Sequence, residues 1–169
     1  MSHQEIVQRA MDFDMDIVVR RYMKDYELPR EVAKEHEKEL KRYLALNAIN
    51  PPKAYGMRGQ VDEIWHTFLL FTKEYQKFCS EVGGRFIHHI PNTHLSLPER
   101  STYFNTLEDY EEIFGEKPPE HIWPNVPNPN NPLDSANLDV CSTSCRGCGS
   151  GCSSCGSGCA GCNSCSSGN

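Results

Sequence analysis

The sequence predicts an all-α protein: a single helical domain with a Pro-rich linker and a disordered or metal-ordered Cys/Gly/Ser tail. Three observations carry that expectation. Apolar residues recur at helical spacing in several stretches before residue 124. Six prolines crowd Lys117 to Asp134. Eight of the nine cysteines fall in the last 29 residues, alongside nine Ser and seven Gly and without a single aromatic. Of the charged residues only Arg146 lies beyond Val140, so two chemically different objects share one chain. Boundaries follow at 1–124 for the helical domain, 125–140 for the linker and 141–169 for the tail.

The elements follow in order. Ser2 and Glu5 have capping-box spacing ahead of Ile6, Val7 and Ala10. Asp12, Asp14 and Asp16 then precede Ile17, Val18, Val19, Tyr22 and Met23, so one or two short helices are expected with acidic N-terminal turns. Leu28-Pro29-Arg30-Glu31 restarts the chain into a long amphipathic helix. Ala33, Leu40, Tyr43 and Leu44 should face inward and the Glu35/Lys38/Lys41 side should be solvated, ending at Asn50-Pro51-Pro52.

Gln60 to Ser80 has the strongest periodicity. Val61, Ile64, Trp65, Phe68, Leu69, Thr72, Tyr75 and Cys79 share one broad face, which predicts one core helix closed by Gly83-Gly84. Arg85 to Pro91 reads as a short extended segment. A last helix is expected with Asn105 as its cap and Tyr103, Leu107, Tyr110 and Phe114 as its stripe, stopped by Gly115 and Pro118-Pro119. Ile122-Trp123-Pro124 should fold back onto the helices, because a lone exposed Trp in a solvated linker is unusual.

Several function classes are excluded or disfavoured. No apolar run approaches the ~20 residues of a membrane span. No basic region followed by an apolar stretch opens the chain, so no secretory signal is expected. The net charge of −6, with no Lys/Arg cluster, argues against nucleic acid as partner. The expected compartment is the cytoplasm, where clustered cysteines read as thiol or metal chemistry rather than a disulfide framework. No phosphate-binding, dinucleotide or nucleophile-elbow motif occurs in the helical part.

Asp62 and His66 stand at i, i+4, so both emerge from one helix face at the rim of the apolar stripe. They can share a metal ion, or the carboxylate can orient the imidazole. His88-His89 offers a second imidazole, of which at most one faces inward, since adjacent residues of an extended segment point to opposite sides. Further ligands are sought at His94, His121 or Cys79. The plainer reading makes His66 a hydrogen-bonded packing residue and Cys79 an inert buried thiol, since metal sites want three or four ligands.

These residues carry a resemblance. Val61-Asp-Glu-Ile-Trp-His-Thr, Thr72-x-x-Tyr75, Phe78-Cys79, Phe86-Ile-His-His-Ile-Pro91, Thr106-Leu-x-x-Tyr110 and Phe114-Gly-Glu-x-Pro-Pro119 with Trp123-Pro124 occur in order. The stretch from about Glu39 to Pro124 resembles the glycine-rich domain-containing protein-like family, with its VDxxWHxH…YxxFC…HH signature and low-complexity tail. The resemblance implies a helical domain defined by Asp62, Trp65, His66, His88 and His89, and says little about activity. One departure stands out: Phe68 occupies the position of the signature's second His.

In the tail, Cys141, Cys145, Cys148, Cys152, Cys155, Cys159, Cys162 and Cys165 form a C-x-x-x-C-x-x repeat. Glycine and serine make it a poor helix but let it wrap a small ion. Eight thiolates suit two tetrahedral zinc sites, or a cluster of another thiophilic metal. The leading expectation is a non-catalytic cytosolic binding protein, a helical scaffold with a thiol-rich metal-binding tail, whose partners are a metal ion and a protein met through the tail. The alternatives are a metal-dependent enzyme using Asp62, His66 and His89, and a structural or interaction protein or peptide-modification substrate acting through the tail.

Overall fold

A computed structural model describes residues 1–89 and 98–124, with the side chains of 98–101 left aside. The linker and tail expected at 125–140 and 141–169 lie outside the described residues, as does His94. The fold is all-α: six helices and, among the described residues, no strand. They are α1 (His3–Asp12), α2 (Asp16–Tyr26), α3 (Arg30–Ile49), α4 (Gln60–Leu70), α5 (Thr72–Val82) and α6 (Pro98–Phe114).

The capping box forms at α1: Glu5 N–H donates to Ser2 Oγ at 3.2 Å and Ser2 N–H to Glu5 Oε2 at 2.7 Å. At 20 residues α3 is the longest helix, and α1, α2, α4 and α6 all pack on it. Ala33, Leu40, Tyr43 and Leu44 are buried, as their spacing predicts. The charged side of α3 departs from expectation. Lys38 is exposed, but Glu35 is half-buried and Lys41 is buried, together with His36, Glu37 and Glu39. A helix covered by four others has too little free perimeter for a wholly solvated stripe, so its charges are neutralised internally. Glu37 takes Lys34 at 2.6 Å and Lys41 at 2.8 Å, and Lys41 donates to the Met11 carbonyl at 3.2 Å.

Glu39, 1% exposed, is the deepest of these charges. It accepts from Trp123 Nε1–H at 2.7 Å and from the Tyr110 hydroxyl at 3.0 Å. Arg42 lies 3.5 Å from it, donates to the Tyr110 oxygen, pairs with Glu116 and sits 5.0 Å from the Phe114 ring. One carboxylate thus binds α3, α6 and the turn at 119–123, where Trp123 N–H donates to the Pro119 carbonyl at 2.8 Å. Trp123 folds back as its burial cost demands, stacked on Tyr43 at 6.2 Å.

Two boundaries correct the sequence reading. The core helix expected over 60–80 is two helices, broken at Phe71 (φ −94°, ψ 66°). Phe71 N–H reaches back only to the Phe68 carbonyl at 3.0 Å, and its own carbonyl starts α5 by accepting from Tyr75 at 2.8 Å. No Gly or Pro announces the break. It lets α4 lie on α2 and α3 while α5 turns to α1, and it leaves Thr72 exposed rather than in the apolar face. The last helix begins at Pro98, a residue suited to a first helical turn, so Asn105 sits mid-helix instead of capping. Its amide donates to the Ala54 carbonyl at 3.0 Å, fastening the 54–56 segment to α6. Gly56 lies so close there that a Cβ would stand 2.6 Å from Thr102 Oγ1 and 2.9 Å from Tyr103 N. Gly115, at φ +67°, ends the helix as expected.

Two outcomes test this packing. Trp123→Ala removes a buried indole and one partner of Glu39, and should cost about 3–5 kcal/mol in urea unfolding, the range for large aromatic deletions. His36 is buried, and burial outweighs the nearby Glu35 and Glu63 carboxylates to hold its pKa below the usual 6.5, with the His121 charge acting the same way. Below that value the unfolded chain takes up a proton the folded chain refuses, so stability should fall as pH drops from 7 and level off below the lowered value. His36→Gln keeps a partner for Tyr22 and should flatten that part of the stability profile.

Candidate metal centre at the start of α4

Gly59 (φ +60°, ψ −130°) takes a backbone conformation that L side chains avoid, and from it α4 starts: Asp62 and Glu63 N–H groups both donate to its carbonyl. Asp62 therefore sits in the first turn, where the helix dipole favours a carboxylate, and His66 stands one turn on. Between them on the core side, Trp65 is buried with its indole N–H donating to the Tyr75 hydroxyl at 3.2 Å.

The same hydroxyl fixes the third side chain. Tyr75 donates to the Ile87 carbonyl, so the chain after α5 is tied down at Ile87, itself buried. Alternation then sorts its neighbours. Phe86 and His88 are exposed, their rings tilted against one another at 5.0 Å, while His89 turns inward over Trp65, ring to ring at 4.5 Å. His89 Nε2 meets Asp62 Oδ1 at 2.8 Å, and His66 Nε2 lies 3.8 Å from the same oxygen. The two imidazoles are 4.6 Å apart. Ligand atoms of Asp62, His66 and His89 all fall within 4.8 Å of one another. Tetrahedral zinc with bonds near 2.0–2.1 Å places its ligand atoms about 3.4 Å apart, inside the spread found here. The side-chain exposures, 10% for His89, 38% for Asp62 and 52% for His66, describe a group with an apolar floor and an open outer side.

The other sequence candidates lie elsewhere. His88 faces away from the group, corrected by the alternation that turns His89 in. His121 Nε2 pairs with Glu35 Oε1 at 2.9 Å. Cys79 is buried, and burial, against hydrogen bonds from the Ile87 backbone and Tyr75, pushes its thiol pKa up, as expected of an inert thiol. Phe68 packs in the core against Tyr75 and Phe78. Two residues beyond His66 is about 200° around the helix. A His at position 68 would thus point away from Asp62 and His66, so the departure at Phe68 removes no ligand from this group.

Sequence reasoning missed the groups beneath the site. The Tyr22 hydroxyl meets His36 Nδ1 at 3.1 Å, and burial first, then the Glu63 carboxylate beside Asp62, raises the Tyr22 pKa. Burial first, then the carboxylates of Glu63, Asp25 and Asp62, raise the pKa of Tyr26. Asp62 and Glu63, both in the first turn of α4, thus place two carboxylates at this end of the helix. No local spacing links Tyr22 and His36; only the packing of α2 on α3 does.

Tyr75 is the hinge of the arrangement. Tyr75→Phe removes the partner of Trp65 Nε1 and the tie to Ile87, and should cost about 1–3 kcal/mol. Its distinguishing readout is the imidazole NMR signal of His89, which should shift and broaden while that of His66 stays in place. Unchanged His89 signals would show that Tyr75 does not position this side chain.

No helix among the described residues is long and apolar enough to cross a membrane. No curated protein and no solved structure matches the chain. The model of the UCP032817-like family matches residues 3–106, a span that holds Asp62, His66 and His89 and ends within α6. With well over half of its residues inside that match, the chain belongs to the UCP032817-like family.

Proposed function

We propose that the protein is a non-catalytic metal-binding protein whose helical domain holds a divalent ion, zinc first among them, through Asp62, His66 and His89. The observation that carries this reading is the convergence of three ligand atoms, one per side chain, within 4.8 Å at the start of α4. Two imidazoles and a carboxylate are ligands of borderline character suited to zinc. In the free protein His89 Nε2 and Asp62 Oδ1 face each other at 2.8 Å; on binding, that hydrogen bond is exchanged for bonds to the ion and the imidazole proton is carried on Nδ1. The membrane plays no part in this reading, nor does nucleic acid.

The cysteine repeat supports a second, softer metal store, with Cys141, Cys145, Cys148, Cys152, Cys155, Cys159, Cys162 and Cys165 as thiolate donors and as a contact for a protein partner. Both roles need reduced thiols, which supports a reducing compartment, the cytoplasm, as the site of action. Kinship with the glycine-rich domain-containing protein-like family fits the same picture, since the residues shared with its signature include Asp62, Trp65, His66 and His89.

The test uses the full chain with all eight tail cysteines changed to Ser, which isolates the helical site. Titration calorimetry should find one zinc per chain. His66→Ala in that background should weaken binding by about 100-fold or more while the circular dichroism stays helical, because His66 is exposed and its removal opens no cavity. Zinc affinity unchanged by His66→Ala, or no zinc bound at all, would overturn the reading.

A further inference from the structure

We propose that the ion at Asp62, His66 and His89 keeps its outward coordination position exchangeable, and that this position takes a small, uncharged, planar nitrogen heterocycle of the imidazole type. The proposal rests on the metal-binding reading above and adds the class of ligand that the bound ion accepts.

The three donors approach from one side. Asp62 and His66 rise from successive turns of α4, and His89 lies beneath them with its ring 4.5 Å from buried Trp65. Exposure grows from His89 at 10% through Asp62 at 38% to His66 at 52%, so the side of the ion away from Trp65 faces solvent. Zinc held by three protein donors keeps its fourth position for an exchangeable ligand, whereas a closed structural site spends four. The other described candidates are engaged elsewhere. His121 is paired with Glu35, His88 is turned away, and Cys79 is buried beside Tyr75.

Charge selects the kind of ligand. Asp62 and Glu63 share the first turn of α4, and together they cancel the two charges of a divalent ion. Asp25, the next carboxylate at this end, is paired with Arg21 at 2.6 Å and adds no net charge. An anion therefore gains little Coulombic attraction from the loaded site and meets two carboxylates at close range. A neutral donor meets no such cost, and imidazole nitrogen suits the borderline ions this donor set favours. Shape points the same way. α2 packs on α4, and Tyr26 at its last turn is exposed, with its ring 4.8 Å from that of Tyr22. Burial first, then Glu63, Asp25 and Asp62, raise the Tyr26 pKa, in keeping with a hydroxyl beside those carboxylates. Tyr26 thus gives the rim an aromatic ring, backed by Tyr22, on which a flat ligand stacks. In the binding step the lone pair of the ring nitrogen displaces a water from the ion, and no proton or electron changes hands.

The test loads the full-length chain carrying Ser at all eight tail cysteine positions with one equivalent of cobalt(II), whose visible absorption reports its ligands. Imidazole, acetate and azide are then titrated in turn, and retained cobalt is measured after dialysis. Imidazole should change the spectrum saturably with one molecule per cobalt, and the cobalt should stay on the protein. Acetate and azide should bind about 10-fold more weakly or less. Tyr26→Ala should leave cobalt affinity unchanged and weaken imidazole by about 3–10-fold, the worth of one aromatic stack. A spectrum indifferent to imidazole would overturn the proposal, as would loss of the cobalt to imidazole, or azide or acetate bound as tightly as imidazole. Imidazole affinity untouched by Tyr26→Ala would remove the stacking rim from it. The metal-binding reading fails by a different result: cobalt uptake, measured before any imidazole is added, that ignores His66→Ala.

Discussion

The Glu39 carboxylate is a charge taken almost wholly out of water, and the domain is arranged to satisfy it. Such a group is costly when unpaired and is tolerated only when donors surround it. Trp123, Tyr110 and Arg42 supply those donors, and they come from three different parts of the chain. Burying Glu39 therefore requires α6 and the 119–123 turn to dock on α3 together. A second acidic knot repeats the pattern at the other end of the same contact. Burial alone would raise the Asp109 pKa, but hydrogen bonds from Lys53 and Tyr55 and the Lys53 charge outweigh it and hold the carboxyl below its usual value. No buried side-chain nitrogen or oxygen among the described residues lacks a hydrogen-bond partner.

The candidate metal centre inherits its geometry from this packing. Tyr43, on the face of α3 opposed to Trp123, is also the neighbour of Trp65, and Trp65 is the floor beneath His89. Tyr75 then ties Trp65 and Ile87 to one oxygen. Asp62 and His66 need only a helix to stand together. His89 needs the whole tertiary structure, because nothing between Val82 and His89 is helical or strand-paired. Two ligands are thus preset locally and the third arrives with folding, which links the affinity of the site to the stability of the domain.

Much of this was legible in the residues. The Ser2–Glu5 cap, the buried stripe of α3, the pairing of Asp62 with His66, the inward turn of one residue of His88-His89, and the return of Trp123 all follow from local rules. The misreadings share a cause. The break at Phe71, the burial of Lys41, and Asn105 in mid-helix are each decided by a partner more than thirty residues away or on another helix. Neither periodicity nor propensity reports such partners. The Tyr22–His36 bond is the clearest case: two helices contribute one residue each, and no motif precedes them.

The most direct measurement is a long-range proton–nitrogen NMR spectrum of the imidazoles in the full chain, recorded without and with one equivalent of zinc. Ligation makes Nε2 of both His66 and His89 move to the metal-bound position together, with the Nδ1 atoms protonated, while buried His36 and the Glu35-paired His121 stay where they were. Zinc that leaves His66 and His89 unmoved, or that shifts only other histidines, contradicts a metal centre at Asp62, His66 and His89.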